Sequence, residues 1–183
     1  MISAITQTLA EFLSRELSTI DTEQISFNHP MLTRSDNPGL NVYCYHVQIR
    51  KTNPPVQTND PPPSQAWEMD HPLAVTLSPD FATPPNHAQW FDVSFLISVS
   101  DYTTLGEQYL LSEVLNILSS YDALPEEVLA PELKGQGSLP IQVSNNEWTE
   151  TVRLWNVLCA PLRPALQVRI TVPSQRPFPV PST

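Results

Sequence analysis

Few residues in this chain have the types and spacing to do chemistry. Cys44 and His46 flank Tyr45 in "VYCYHVQ". On an unbroken strand they share one side, about 7 Å apart by strand rise, which would seat a thiol nucleophile beside an imidazole base. Glu68, Asp70 and His71 cluster in "WEMDH" and are the side-chain types of a metal site. His29 and His87 have no such neighbours. There is no nucleophile elbow, P-loop, CxxC pair or HExxH helix. Both clusters also have a plainer reading: Cys44 packs beside a polar strand residue, and "WEMDH" is an exposed loop. The plainer readings are adopted. The chain is therefore expected not to be an enzyme, with no catalytic residue, no metal, no cofactor and no small-molecule substrate.

Charge is the more informative pattern. The 183 residues carry 19 acids against 9 Lys and Arg, a net −10. Residues 1–150 hold every acid and only Arg15, Arg34, Arg50, Lys51 and Lys134 as bases. Residues 151–183 hold Arg153, Arg163, Arg169 and Arg176 and no acid. Such asymmetry suits head-to-tail contact between copies, or a polarised partner, through complementary fields; a solvated acidic face with a basic tail is the simpler alternative. The overall acidity argues against nucleic acid. Glycine is scarce, 4 residues against 20 prolines, which argues against phosphate-cradling loops. Cys44 and Cys159 sit in apolar patterns and are read as reduced core residues, not as a disulfide. "MISAITQTLAEFLSREL" has neither the basic leader of a signal peptide nor the apolar length of a membrane span, so synthesis in the cytoplasm is expected.

The elements that must position these residues follow from periodicity. Ile2, Ile5, Leu9, Phe12, Leu13, Leu17 and Ile20 form one apolar stripe on a helix of about five turns. "EQISFNHP" is a short strand. "LNVYCYHVQIRK" is a strong one, with Val42 and Cys44 on one side and Tyr43, Tyr45, Val47 and Ile49 on the other. Apolar on both sides, it is expected to be central and covered on both faces. Residues 53–87 form a Pro-rich excursion with nine prolines from Pro54 to Pro85; it cannot be helix or interior strand, though "PLAVTLSP" within it reads as a short strand. An SH3-type ligand is a second reading of it. "QWFDVSFLISVSD" alternates cleanly. "TTLGEQYLLSEVLNILSSY" is a helix with Thr104 and Glu107 at capping-box spacing, and "PEEVLAPEL" adds about a turn. "SLPIQVS" is a strand, Glu147 to Leu162 a third helix packed through Trp148, Val152 and Trp155, and "ALQVRITV" a final strand. Ser144 and Glu147 repeat the capping spacing. The fold class expected is α+β (mixed α/β): a single sheet of about five or six strands with three main helices packed on it. Residues 1–172 form the domain and 173–183 a Pro-rich arm.

Three blocks then resemble a known family. "LNVYCYHVQIRKT" is similar to its alternating Leu/Tyr strand and basic turn. "FDVSFLISVSDYTTLGEQYLLSEVLNILSSYDALP" is similar to its strand, acidic turn, Leu-Leu helix and Leu-Pro exit. "RLWNVLCAPLRPALQVRITVP" is similar to its Leu-Trp helix, Leu-Arg-Pro joint and last strand. The family forms the N-terminal domain of the cap, or tube terminator, of phage-tail-like contractile injection systems. It often has His where Gln108 stands and Gly where Ser112 stands. The resemblance implies a tail-terminator-like fold and a homohexameric ring on the inner tube, in contact with the last sheath ring. The partners are then tube protein and sheath protein, with no nucleic acid, and the protein ends up in a released or membrane-associated particle. On that footing Arg163, stiffened between Pro161 and Pro164, joins Arg169 and Arg176 in meeting the acidic region of a neighbour, represented by Glu107, Glu113, Glu126 and Glu127. Arg163 capping its own helix carbonyls is the competing reading. A sheet edge is expected to accept an extended sheath arm, and the C-terminal arm to lie over a neighbour. The alternative function is a peptide-binding adaptor that uses the Pro-rich loop or a sheet edge.

Overall fold

A computed structural model describes residues 1–32, 37–50 and 90–173. The Pro-rich excursion, "PLAVTLSP", the "WEMDH" cluster, His87, Arg34, Lys51 and Arg176 lie outside the described residues, as does the C-terminal arm beyond Pro173.

Helix α1 spans Ile2–Glu16 and strand β1 Ile25–Ser26. β2 spans Gly39–Arg50 and β3 Trp90–Ser100. α2 spans Thr104–Ser119, β4 Ala123–Leu124 and β5 Leu139–Val143. α3 spans Trp148–Val157 and β6 Ala165–Pro173. The strands form one six-stranded sheet in the order β1-β2-β3-β6-β5-β4. Only β1 and β2 are parallel; the other pairings are antiparallel. "PEEVLAPEL" makes two short 3-10 turns, Glu126–Val128 and Pro131–Leu133. No helix among the described residues is long and apolar enough to cross a membrane.

The α1 stripe works as its spacing predicts. Ile5, Leu9, Phe12 and Leu13 are sealed against the sheet, joined by Leu110, Val114 and Leu118 of α2. α1 stops a turn short of expectation, at Glu16, but Leu17 and Ile20 stay in the same core. Val93, Phe95 and Ile97 of β3 face this layer with Val168, Ile170 and Val172 of β6. α3 lies on the opposite face, held by Trp155 and Leu158 on Leu96 with Tyr43, Tyr45 and Ala165 around them. The architecture is a sheet between α1 and α2 on one side and α3 on the other.

Three local readings are corrected. β2 carries a bulge between Cys44 and His46. An extra residue inverts the side-chain parity beyond it, so Val47 and Ile49 pair with Val93 and Phe91 on the α1 side, away from Tyr43. β2 is also not a covered central strand: its last third is largely exposed. The reason is length, since a 15-residue helix reaches about 22 Å while a 12-residue strand runs about 40 Å. The caps differ too. α2 is capped by Thr103, whose Oγ1 accepts from the Gly106 N–H at 2.9 Å. Ser144 continues the β5–β6 ladder, donating its N–H to the Gln167 carbonyl, and Glu147 is the N-cap of α3 but makes no side-chain capping hydrogen bond.

α3 is shorter than its apolar pattern because the chain turns at Cys159, which is exposed, not a core residue, and has φ +50. The Cys159 N–H donates to the Asn156 carbonyl and the Ala160 N–H to the Trp155 carbonyl, the paired bonds of a Schellman closure. That left-handed position normally takes glycine, and a side chain there costs about 1–2 kcal/mol. Cys159→Gly is therefore expected to raise stability by about 0.5–1 kcal/mol after the extra unfolded-state freedom is counted. Urea titration checks this; a lowered midpoint would contradict the strain at Cys159.

Candidate functional site

The bulge removes the one nucleophile–base arrangement the sequence offered. Cys44 opposes Phe95 and packs on the α1-side core, while His46 opposes Ser94 on the other face. Burial pushes the Cys44 thiol up from its ordinary value, only partly offset by a backbone hydrogen bond from His46, so little nucleophilic thiolate forms near neutrality. The His46 imidazole instead shares a 3.2 Å hydrogen bond with Gln48 Oε1. No cluster of three potential metal ligands occurs among the described residues.

What the structure offers instead is surface. Arg163 and Glu107, assigned from the sequence to different copies, lie close within one chain. Both line a small cleft beside Val99, Thr104, Gln108 and Pro164. Arg163 makes no ion pair or hydrogen bond among the described residues. The carbonyls it was expected to cap are taken by the backbone closure at Cys159. Arg169 stands elsewhere, on the α3 side of β6, between Ser94 of β3 and Gln142 of β5. It too has no carboxylate within 4.0 Å among the described residues. Burial pushes the Tyr45 phenol up from its ordinary value, and the Arg169 charge offsets part of that push. Glu126 and Glu127 are exposed in the first 3-10 turn. Glu126 already has a partner, accepting the Gly135 N–H at 2.8 Å. Glu113 lies beside the Tyr109 hydroxyl on α2 and holds that phenol's pKa up.

Several features were not foreseen from sequence. The α3-side face of the sheet carries a partly buried polar network centred on the buried Gln167. The Tyr45 hydroxyl donates to Gln167 Oε1 at 3.0 Å, Asn146 Nδ2 donates to the same oxygen, and Gln167 Nε2 donates to Thr151 Oγ1. Farther along, Asp92 accepts from Thr171 Oγ1 at 2.8 Å and Arg50 Nε at 3.3 Å. Trp148, assigned to the core, is exposed, whereas Trp155 is sealed. The outer edge of β2 pairs with β1 only at Leu40 and Asn41. From Val42 to Arg50 that edge has no ladder partner among the described residues. Such an edge is a template for strand addition.

Comparison with known proteins adds the rest. A family model described as the Pvc16 N-terminal domain matches residues 4–180. No curated protein matches the chain. Among solved structures, the fold is similar to a cryo-EM structure of an extracellular contractile injection system, the PVC sheath/tube terminator in its extended state. That match has a TM-score of 0.54 and 16% identity, covering 94% of this chain and 56% of the other. At that identity the likeness is one of fold, and this chain spans a little over half the length of the terminator chain.

Proposed function

The chain belongs to the Pvc16 N-terminal domain family, and from that membership we propose that it is a structural terminator of a contractile injection system. It closes the inner tube as a homohexameric ring and contacts the last sheath ring, and no reaction is assigned to it. The observation that carries this reading is the family match over residues 4–180, supported by the fold shared with a sheath/tube terminator. A ring of identical copies needs a heterologous interface closed by rotation. Arg163 and Arg169, with no carboxylate within 4.0 Å among the described residues, are cations available to a neighbour's Glu127, whereas Glu107 already shares a cleft with Arg163 of its own chain. The unpaired β2 edge suits an extended arm of sheath protein. The particle is assembled in the cytoplasm before it acts outside the cell.

The test is to assemble particles with and without this protein. Without it, tubes are expected to vary in length and to lack the distal cap in electron micrographs; uniform tubes with intact caps would overturn the reading. The β2 edge also favours a peptide-binding adaptor. That alternative is distinguished by mass measurement with and without tube protein: an adaptor stays monomeric on peptide, whereas a terminator forms a ring on the tube.

A further inference from the structure

The two outer helical layers carry exposed apolar side chains where a soluble domain ordinarily carries polar ones. On α2, Leu105 and Tyr109 are 75% and 65% exposed and lie one turn apart on a single ridge that continues to Glu113. On α3, Val157 is 80% exposed, one turn beyond the exposed Arg153, and Leu162 follows in the joint to β6. The two ridges lie on opposite sides of the sheet, because α2 packs into the α1-side core and α3 into the small cluster around Leu96. The helix bodies, with Glu113 on one and Arg153 on the other, therefore stay apart within one chain, although the joint after α3 reaches the start of α2 at the cleft shared by Arg163, Pro164, Thr104 and Glu107.

Their charges are complementary. Asp101 to Leu133 holds seven acids and no base, while every charge after Thr151 is basic. We infer that α2 of one copy packs antiparallel on α3 of the next, joining Leu105 and Tyr109 to Val157 and Leu162 and setting Glu113 against Arg153. The order along each helix supports this. α2 is apolar at its start and acidic eight residues on; α3 is basic in its middle and apolar at its end. Run antiparallel, apolar meets apolar and acid meets base in the same register, and the four-residue ridges interdigitate. Parallel docking would set Leu105 beside Arg153 and Glu113 beyond Val157. The contact joins two different faces, so it propagates head to tail and closes a ring only at the right rotation. It rests on the terminator reading and names the faces by which its copies meet.

The full-length protein in assembled particles provides the test. Glu113→Arg and Arg153→Glu are each expected to cut the fraction of capped tubes about tenfold, since like charges meet across every interface. The double swap should restore capping to within about threefold of the parent. Tyr109→Cys with Val157→Cys, which face each other when Glu113 is set against Arg153, in a background with Cys44 and Cys159 replaced by Ser, should give an oxidised ladder of linked copies on denaturing gels. Capped particles with no ladder, and no loss of capping in either single reversal, would overturn the docking and leave the terminator reading standing. Tips that lack this protein in the parent particles would overturn both.

Discussion

Trp155→Ala is expected to destabilise the protein by about 3–5 kcal/mol, lowering the melting temperature by about 6–20 °C for a chain of this size. Beside Trp155, α3 is held by Leu158, the partly buried Leu154 and the hydrogen bond from Gln167 Nε2 to Thr151 Oγ1. Its buried contacts are Trp155 and Leu158 on Leu96, a satellite of the main core. The α1-side core shares none of those three residues, so the loss is expected first as release of α3 while the sheet and α1 stay folded. The indole N–H is buried with no hydrogen-bond partner among the described residues. Trp155→Phe therefore removes an unsatisfied donor along with some volume, and should cost about 1 kcal/mol, far less than alanine. If alanine and phenylalanine variants melt together within 2 °C of the parent (roughly 0.5–1 kcal/mol), α3 is anchored by something other than this side chain. α3 also carries Arg153 and Val157, so the alanine variant should lose capping at temperatures where its circular dichroism still shows the sheet.

Much of this fold was legible in the sequence, and the failures have physical causes. The α1 stripe, β3 and β6 were readable because each repeats its period over many residues against one large apolar layer. β2 was read in the right place but with its far half on the wrong side. Period-two reading assumes an unbroken ladder, and nothing in "VYCYHVQ" announces a bulge. That same bulge separates Cys44 from His46, so the most chemical-looking pair in the chain was an artefact of assumed regularity. α3 failed differently. Trp148, Val152, Trp155, Leu158 and Leu162 fit one stripe, but the helix runs only from Trp148 to Val157 and buries Trp155 alone of its residues. Trp148 and Leu162 are then left outside the small cluster it covers.

The candidate interface was legible only as a sign. Composition separated an acidic part of the chain from a basic end, but pairing those signs residue by residue needed the layers. Arg163 and Glu107 proved to share one cleft of one chain. Glu113 and Arg153 lie on opposite layers, where a second copy is the natural source of contact. No linear pattern marks Arg153 above Arg163. The distinction comes from which side of the sheet each helix covers, and that is settled by the cores of α2 and α3.

Asp92→Ala is the second large effect, expected to cost about 2–4 kcal/mol, below the usual figure for a broken buried pair because Arg50 reaches solvent. Asp92 sits on the central strand β3 and ties β2, through Arg50, to β6, through Thr171. Its carboxylate is 4% exposed, whereas the Arg50 side chain is 26% exposed. Truncation thus leaves a buried Thr171 hydroxyl without its acceptor, while the guanidinium can rehydrate. Asp92→Asn keeps an oxygen for Thr171 and loses only the charge, so it should cost about half as much. The damage should also be local. The far part of β2 has no strand on its outer side among the described residues and no helix long enough to cover it, so the Arg50–Asp92 pair fastens its end across the sheet. Amides of Val47 to Arg50 are expected to exchange with solvent at least tenfold faster in the alanine variant, with Val168 and Ile170 unchanged until global unfolding. Uniformly faster exchange across β3 and β6 would mean that Asp92 supports the whole sheet. Unchanged exchange at Val47 to Arg50 would mean that the strand end is held from elsewhere. Under the proposed function that strand end is also where an added arm would pair, so the alanine variant should weaken sheath attachment before it weakens the ring.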